Sequence, residues 1–385
     1  MCARHTVRPR VLLFDWIPDG HHQNYLELVA AALRDSAEIV IAGPESIRGQ
    51  IASHADEFFS LGADRPAAGG LGQPSFAEVA AAEVPVFRSA IAATGASHAI
   101  HLYADDLVPY LAEAPPMCAH VSLLLFRYHL HYPFAFRNLL LPQEWLEALR
   151  TERALQRWRT RSDAGALLFF DEVAARFQSR RRGARAVWLP EAPVPRRPVE
   201  AGSNWSERQG CVLIGALAWR KGLHSLARAV ELFPTDMRVR VAGQPAPGFE
   251  SELQRHVDSM RAAGATVDVR AEWLSEASYL GLIASARCAV VAYPRHFGSS
   301  RVLLEAAAMG TPTVADSFGY VGYLVRHYGL GRSVRSADSK ALRKALDGFI
   351  TTRASCSPEL TARLRDFADR YTSTGFAAAW RAVLC

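Results

Sequence analysis

Short apolar runs alternate with helix-like stretches along the whole 385-residue chain. A run of about four to eight residues with Val, Ile and Leu at its centre is typical of a strand covered on both faces, as in a parallel sheet. Parallel neighbours need a crossover connection, which is usually a helix. The alternation therefore predicts an α/β fold built from βαβ units.

The predicted strands fall into two sets, separated by a stretch that is rich in Pro and polar residues and has no periodicity. Such a stretch is typical of an interdomain linker. We predict two Rossmann-like domains, residues 1–190 and 209–364, with a linker at 191–208 and a cleft between the carboxyl ends of their strands. The first set is RVLLFDW, EIVIAG, SHAIHLY, CAHVSLLLF, ALLFF and RAVWLP, and the second is QGCVLIGAL, MRVRVAGQ, ATVDVRAEW, RCAVVAY and TPTVADS.

The C-terminal segment, residues 365–384, has a helical pattern but follows the last predicted strand of the second domain. A terminal helix in this position can return to the other domain. We therefore expect a helix at about 365–385 that packs back on the first domain.

Composition and cysteine usage indicate a cytoplasmic protein. No apolar run approaches the roughly 20 residues that span a bilayer. The N-terminal stretch has only Val11–Phe14 before Asp15, which is too short for the apolar core of a signal peptide. Cys118, Cys211 and Cys288 lie in apolar runs, and no CxxC pair occurs. We predict reduced core cysteines, with neither disulfides nor a zinc site.

The net charge of +6 indicates an anionic partner. The sequence contains no nucleic-acid-binding motif and its arginines are spread widely, so we predict no nucleic acid partner. A nucleotide diphosphate or an anionic membrane surface accounts for the charge as well. The densest basic cluster, residues 178–185, is typical of a solvated helix end.

The segment His296–Val314 joins a predicted strand to an Ala-rich helix that stops at Gly310. At such a turn the first N–H groups of the helix have no partner and the helix dipole is positive, which favours a phosphate group. An ordinary helix with a serine cap has the same pattern. The residues alone leave both interpretations open.

Three separated stretches fall in a characteristic order. They are GALAWRKGLHSLARAVEL, GSSRVLLEAAAMGTPTVADSFGYVGYLV, and LLFFDEVAARF followed by VWLPEAPVP. Together they resemble the retaining glycosyltransferases of the GT-B fold, family 4, also described as glycosyl transferases group 1. The resemblance covers the whole second half and is looser in the first half. It implies transfer of a sugar from a nucleotide-diphosphate sugar, with retention of configuration and without a metal ion.

In that family a Lys-Gly pair after the first strand of the donor domain offers a cation to the diphosphate. Lys221 and Gly222 match this pair, with Arg220 beside them. A fixed cation stabilises the charge that grows on a diphosphate leaving group. The resemblance thus implies Lys221 and Arg220 as catalytic residues; a solvent-facing helix start is the alternative.

The same resemblance assigns the ribose hydroxyls to Glu305, for which a surface position on an amphipathic helix is the alternative. It assigns the diphosphate to the turn formed by Gly298, Ser299, Ser300, Arg301 and Val302.

Two positions depart from the family pattern. Phe297 stands where the family usually has a Glu that contacts the donor sugar, and Ala216 stands where it often has an Arg. The identity of the sugar is therefore left open. Arg220 is a candidate for part of the missing charge.

The acceptor side is predicted at the first strand-to-helix turn, DGHHQNY. Gly20 permits close backbone approach to the donor, and His21 and His22 can exchange hydrogen bonds near the transferred group. We predict His22 as catalytic; neighbours of a plain helix cap are the alternative. No GxGxxG follows the strand, which disfavours a nicotinamide or flavin enzyme.

Further acceptor contacts are predicted at the ends of two later strands. The candidates there are Asp105, Asp106 and His129, with His131 nearby, and they join His21 and Tyr25 of the first turn. The two aspartates also suit a helix N-cap and its first turn. His, Asp and Cys do not converge in metal-ligand spacing, so we predict no metal site.

The segment 142–161 places Trp145, Leu146 and Leu149 on one side of a helix and arginines elsewhere. A helix of this kind can contact an anionic membrane. Packing on the domain core is the favoured interpretation. The oligomeric state is left open.

Two other functions are also left open. One is a GT-B epimerase or phosphorylase. The other is a GT-B protein that binds a glycan or partner without turnover, which the departure at Phe297 keeps open. The base, sugar, acceptor and pathway are not fixed by the sequence.

Overall fold

The computed structural model describes residues 8–18, 22–68, 73–128, 142–194, 205–232, 236–351 and 357–384. The chain divides into two compact units. The first unit comprises Met1–Ala192 and Ser373–Cys385, and the second comprises Pro193–Thr372. Most of the predicted linker, residues 195–204, lies outside the described residues.

The first unit contains a parallel sheet of 7 strands in the order β3-β2-β1-β4-β5-β6-β7. The strand order changes direction between β1 and β4, and ligands of open α/β sheets bind at such a switch point. The strands are β1 (Arg10–Phe14), β2 (Glu38–Gly43), β3 (Glu57–Ser60), β4 (His98–His101), β5 (His120–Leu125), β6 (Ala164–Phe169) and β7 (Ala186–Trp188).

Helices cover both faces of this sheet. They are α1 (His22–Leu33), α2 (Arg48–Ile51), α3 (Phe76–Thr94), α4 (Val108–Glu113), α5 (Pro142–Trp158), α6 (Glu172–Ser179) and, from the end of the chain, α14 (Ser373–Arg381). Phe14 and Phe87 lie in the core on one face, and Leu13 and Leu26 lie in the core on the other. Alternate residues of one strand therefore serve two cores, which explains its continuous apolar run.

Helix α14 completes the core of the first unit. Phe376 and Trp380 are buried in the cluster that contains Leu26. The Arg381 Nε donates to the Ala32 carbonyl at 3.0 Å.

The second unit contains a parallel sheet of 6 strands in the order β10-β9-β8-β11-β12-β13. Its switch point lies between β8 and β11. The strands are β8 (Cys211–Ile214), β9 (Arg238–Ala242), β10 (Thr266–Arg270), β11 (Cys288–Val291), β12 (Thr313–Asp316) and β13 (Gly331–Val334). Its helices are α7 (Leu223–Glu231), α8 (Glu250–Ala262), α9 (Glu276–Ala284), α10 (Arg301–Ala308), α11 (Gly319–Tyr328), α12 (Ser339–Ile350) and α13 (Pro358–Ala368).

The strand pattern predicts every strand except β3 and β13. Both are 4 residues long and lie at sheet edges. Their residues are exposed or half-buried. An edge strand lacks the continuous apolar signal because solvent reaches it.

Three sequence-based details are wrong. The single helix at 365–384 is two helices, α13 and α14. Leu146 and Leu149 of α5 are exposed, although the helix packs on the core as expected, through Trp145, Leu155 and Trp158. Cys118 is exposed, since it precedes β5, whereas Cys211 and Cys288 are buried. In the described part of the chain, no helix combines the length and apolar character needed to span a membrane.

Gly222, between β8 and α7, has no room for a side chain. Its φ is 74°, and a Cβ there would lie 2.2 Å from the Ala292 carbonyl oxygen. A left-handed conformation alone costs a non-glycine residue about 1–2 kcal/mol. We expect Gly222→Ala to lower the free energy of unfolding by clearly more than that, because the backbone must also move.

Gly248→Ala is the matched control. Gly248 has a φ of 80°, and a Cβ there would meet nothing within 4 Å. Denaturant melts should therefore show only the conformational cost of about 1–2 kcal/mol in this variant. Equal losses in the two variants would contradict the proposed backbone contact.

Candidate functional site

The turn after β8 places Lys221 against the end of β11. Residues Trp219–Lys221 form a short 3₁₀ turn, and Gly222 ends it. Because Gly222 packs directly on the Ala292 carbonyl, the lysine before it emerges beside Tyr293. A glycine is needed here for both the left-handed φ and the close approach.

The Lys221 ammonium makes two contacts with Tyr293. Nζ donates to the Tyr293 hydroxyl at 3.1 Å and lies 4.3 Å from the centre of its ring. A Cβ on Gly215 would lie 3.6 Å from Lys221 Nζ and 3.8 Å from Val302 Cγ2. The ammonium and the first turn of α10 are therefore neighbours, as the family resemblance implies.

The start of α10 is not an ordinary serine-capped helix. Ser300 is the N-cap residue, but its side chain makes no capping hydrogen bond. Its Oγ is buried and has no hydrogen-bond partner among the described residues. The Leu303 and Leu304 N–H groups donate to the Ser300 carbonyl. The capping function of this serine is thus unused.

His296 fixes the turn that precedes α10. Its Nε2 lies 2.8 Å from the Ser299 carbonyl oxygen. A carbonyl only accepts, so Nε2 carries the hydrogen of this bond. Gly298 and Ser299 are half-buried, and they lie between this bond and the helix.

Glu305 is buried on α10, only 7% exposed. One carboxylate oxygen, Oε1, accepts from Arg301 Nε at 2.8 Å. The other, Oε2, has no hydrogen-bond partner in the described part of the chain. Burial raises the pKa of the Glu305 carboxyl, and the neighbouring Arg301 guanidinium and Tyr279 hydroxyl oppose this rise. The Tyr279 hydroxyl nevertheless does not form a hydrogen bond with Oε2. A buried acceptor without a donor suits a ligand hydroxyl.

Two arginines hold α10 in place. Arg301 donates through Nη2 to the Pro193 carbonyl at 2.9 Å, in addition to its bond to Glu305. Arg208 is buried at the other end, where it donates to the carbonyls of Gly310 and Met309 and to the Thr311 hydroxyl. The geometry thus gives Arg301 a positioning role within the predicted donor turn.

The loop between β11 and α10 is strained and packed. Arg295 has a φ of 55°, an uncommon conformation for a residue with a side chain. Phe297 packs edge-to-face on Phe318, with 4.9 Å between ring centres. A Cβ on Gly319 would lie 1.9 Å from the His296 carbonyl oxygen. The start of α11 therefore holds this loop against the sheet.

Arg220 and Ala216 are exposed beside Lys221. Arg220 makes no hydrogen bond or ion pair with the residues that the structure describes, so its charge is available to a ligand. Trp219, 57% exposed, stacks on His224 with 3.9 Å between ring centres.

In the first unit, Asp15 orients His22. The His22 Nδ1 lies 2.7 Å from Asp15 Oδ2, and both side chains are buried. The other oxygen of Asp15 accepts from the Ile17 N–H at 3.0 Å. In the neutral ring, Nδ1–H donates to the carboxylate and Nε2 is an acceptor.

Tyr103 and Arg127 lie next to this pair. The Tyr103 ring is 5.3 Å from the His22 ring, and its hydroxyl accepts from Arg127 Nη2 at 2.8 Å. Arg127 also lies 3.7 Å from Asp106. Asp105 accepts the backbone N–H of Arg127 at 2.6 Å. The predicted acceptor residues Asp105 and Asp106 thus hold the chain after β5.

Tyr25 is buried, and its hydroxyl bonds within the unit. It donates to Glu191 Oε2 at 3.2 Å and accepts from the Ala192 N–H at 3.3 Å. The structure therefore places this predicted acceptor residue in a supporting position. Gly20, His21 and His129, like His131, lie outside the described residues.

Several site residues were not predicted from the sequence. Asp15 directly follows β1, and Tyr103 and Tyr293 are each the second residue after β4 and β11. Polar residues at the carboxyl ends of parallel strands are a recognisable signal. No sequence signal distinguishes His296 or Arg127 from other loop residues. Among the described residues, no three His, Cys, Asp or Glu side chains form a group that could hold a metal ion.

Residues 208–352 match the family described as Glycosyl transferases group 1. In this part the chain is similar to the group 1 glycosyltransferases. A comparison with curated proteins gave no match. The match contains the Lys221 turn and all of α10, which are the parts of the second unit that the geometry brings together.

Solved structures match this chain along nearly its whole length. HepE from Anabaena in complex with UDP and glucose is 15% identical, with a TM-score of 0.62 and coverage of 98% of this chain and 99% of that one. Sucrose-phosphate synthase from Thermosynechococcus elongatus is 16% identical, with a TM-score of 0.67 and 98% of each chain covered. WaaG, a glycosyltransferase involved in lipopolysaccharide biosynthesis, is 13% identical, with a TM-score of 0.62 and coverage of 97% and 98%. The predicted GT-B fold is confirmed.

Proposed function

We propose that this enzyme transfers a sugar from a nucleotide-diphosphate sugar to an acceptor hydroxyl, with retention of the donor's anomeric configuration. The observation that carries the proposal is the convergence of Lys221, the uncapped start of α10 and the unpaired Glu305 Oε2 in the second unit. These groups suit a cation contact to phosphate, backbone N–H contacts to phosphate and a contact to a ribose hydroxyl, respectively. HepE, which binds UDP, shares the fold and supports the assignment.

In the proposed reaction, the acceptor oxygen bonds to the anomeric carbon while the bond from that carbon to the diphosphate breaks. The acceptor proton passes to a donor phosphate oxygen on the same face, so no protein carboxylate attacks the sugar. Lys221 and Arg220 stabilise the negative charge that develops on the leaving diphosphate. We propose that no metal ion is required, because this cation pair supplies the positive charge.

On the acceptor side, we propose that His22 contacts the transferred group. Asp15 holds its ring through Nδ1, which gives Nε2 of the neutral ring the character of an acceptor for a hydroxyl group. Tyr103 and Arg127 extend this polar cluster. The acceptor is a small molecule, a lipid or a glycan.

The cellular setting is also a proposal. Cys118, Cys211 and Cys288 are free thiols, which is typical of a reducing compartment such as the cytoplasm. The exposed Leu146 and Leu149 of α5 support peripheral contact with an anionic membrane, because arginines flank them.

The proposal is tested with purified enzyme and a panel of UDP, GDP, ADP and dTDP. Thermal melts should rise with one or more of these nucleotides, since a ligand at 100 times its Kd adds about 2.7 kcal/mol to stability. The corresponding sugar nucleotides are then tested for transfer, and NMR determines the anomeric configuration of the product. An inverted linkage would contradict retention, and dependence on free phosphate would indicate a phosphorylase. Glycan binding without turnover would indicate a non-catalytic protein.

Glu305 should bind the ribose of the donor. We expect Glu305→Gln to weaken nucleoside diphosphate binding by about tenfold to a hundredfold, because a charge-assisted hydrogen bond contributes about 1.5–3 kcal/mol. Isothermal titration measures the change. The 2′,3′-dideoxy form of the same nucleotide is the control, and its affinity should be equal for both proteins. Unchanged affinity of a folded variant for the ribonucleotide would contradict the assignment.

Lys221 should act on the transition state more than on the bound donor. We expect Lys221→Ala to lower kcat by roughly 10²–10³-fold, as for removal of one preorganised charge-stabilising group. Arg220→Ala should lose less, unless Arg220 replaces the arginine missing at Ala216. In that case the two single variants should be comparably impaired and the double variant should show coupling. A change confined to the donor KM in saturation kinetics would leave Lys221 as a binding residue only.

A further inference from the structure

The half-buried Lys221 ammonium has only uncharged contacts among the described residues. No carboxylate of the described chain forms an ion pair with it, and its contacts are the hydroxyl and ring of Tyr293. A partly desolvated charge without a counter-ion is costly unless a ligand supplies the opposite charge. The unbalanced ammonium is therefore suited to an anion.

Tyr293 can orient this ammonium without neutralising it. A carboxylate in its place would attract the lysine and repel a diphosphate. A phenol hydroxyl accepts one N–H, and the negative face of the ring attracts the cation, while the net charge of the lysine stays +1. The pair therefore keeps its full charge for a ligand.

Tyr293 itself is rigidly placed. It is 2% exposed and follows Ala292, whose carbonyl contacts Gly222. Its ring meets the His296 ring edge-on, with 5.5 Å between ring centres. The contacts of Tyr293 therefore connect the turn that carries Lys221 with the loop before α10.

His296 holds the turn before α10, which is the second part of the proposed diphosphate site. Its Nε2–H holds the Ser299 carbonyl at 2.8 Å. A carbonyl oxygen that turned toward a bound phosphate would repel it. By holding this oxygen on the protein, His296 keeps the turn of residues 298–302 in the form that presents N–H groups to an anion.

We propose that Tyr293 and His296 are positioning residues of the donor site. Tyr293 sets the place of the Lys221 ammonium, and His296 sets the conformation of the turn before α10, so that both meet the same diphosphate. This inference rests on the proposed function, because it takes the ligand to be the diphosphate of the donor.

The first experiment is a double-mutant cycle on Tyr293 and Lys221, read out as affinity for the nucleoside diphosphate of the four-member panel that binds best. Tyr293→Phe retains the ring and removes the hydroxyl. We expect about threefold to tenfold weaker binding, the range for one net hydrogen bond. In the Lys221→Met background the same change should have no further effect. Tyr328→Phe is the matched control, because its hydroxyl accepts from Arg370, and it should bind like the parent protein.

The second experiment compares two replacements of His296. His296→Gln retains an N–H donor at a similar reach, whereas His296→Leu keeps bulk and removes the donor. We expect the Gln variant to stay within about threefold of the parent kcat and the Leu variant to fall by about tenfold or more, with the acceptor KM unchanged in both.

The outcomes distinguish failure of the proposed function from failure of the positioning roles of Tyr293 and His296. If the parent protein binds none of UDP, GDP, ADP and dTDP, the proposed function fails and this inference with it. If the parent binds but Tyr293→Phe loses equal affinity with and without Lys221, the tyrosine acts structurally and the inference alone is overturned. Equal kcat values for the Gln and Leu variants of His296 would overturn its part in the same way.

Discussion

The contact between Gly222 and the Ala292 carbonyl is the constraint on which the proposed donor site depends. β8 and β11 are parallel neighbours, so the turns at their carboxyl ends meet. Because no side chain fits between Gly222 and the Ala292 carbonyl, the turn packs on the chain that follows β11 and Lys221 lies beside Tyr293. The position of the charge is thus set by backbone packing, which a bound anion does not need to reorganise. Such preorganisation is what makes an electrostatic group effective in catalysis.

The strands could be predicted from the sequence where burial on both faces produces a continuous apolar run. Strands covered on both faces, such as β8 and β11, give continuous apolar runs, whereas the exposed edges β3 and β13 do not. For the site, motif spacing predicted Lys221 and Glu305. It could not supply Tyr293 as the neighbour of Lys221, because contacts between adjacent strand ends depend on register, and it did not pair Asp15 with His22. Tyr25 shows that a polar side chain near a predicted cleft can also bond within the core.

Helix α10 has unequal ends. Arg208 binds the carbonyls at its C-terminal end, where a cation is favoured by the helix dipole. At the N-terminal end, Ser300 is available as a cap but its hydroxyl is left without a partner among the described residues. Natural proteins tend to depart from local rules at functional sites and to compensate elsewhere. The helix is therefore anchored at its C-terminal end, and its N-terminal end is the part that the proposed ligand would contact.

The return of α14 to the first unit has a consequence for biosynthesis. The core of that unit contains Phe376 and Trp380, whereas the rest of its core residues, apart from Val383, precede Pro193. During synthesis, the last helix of the first unit can therefore dock only after the whole second unit has been translated. Until then the apolar surface on α1 that receives Trp380 stays uncovered, and such surfaces promote misassembly of nascent chains. The folding of the first unit is thus tied in time to the completion of the second.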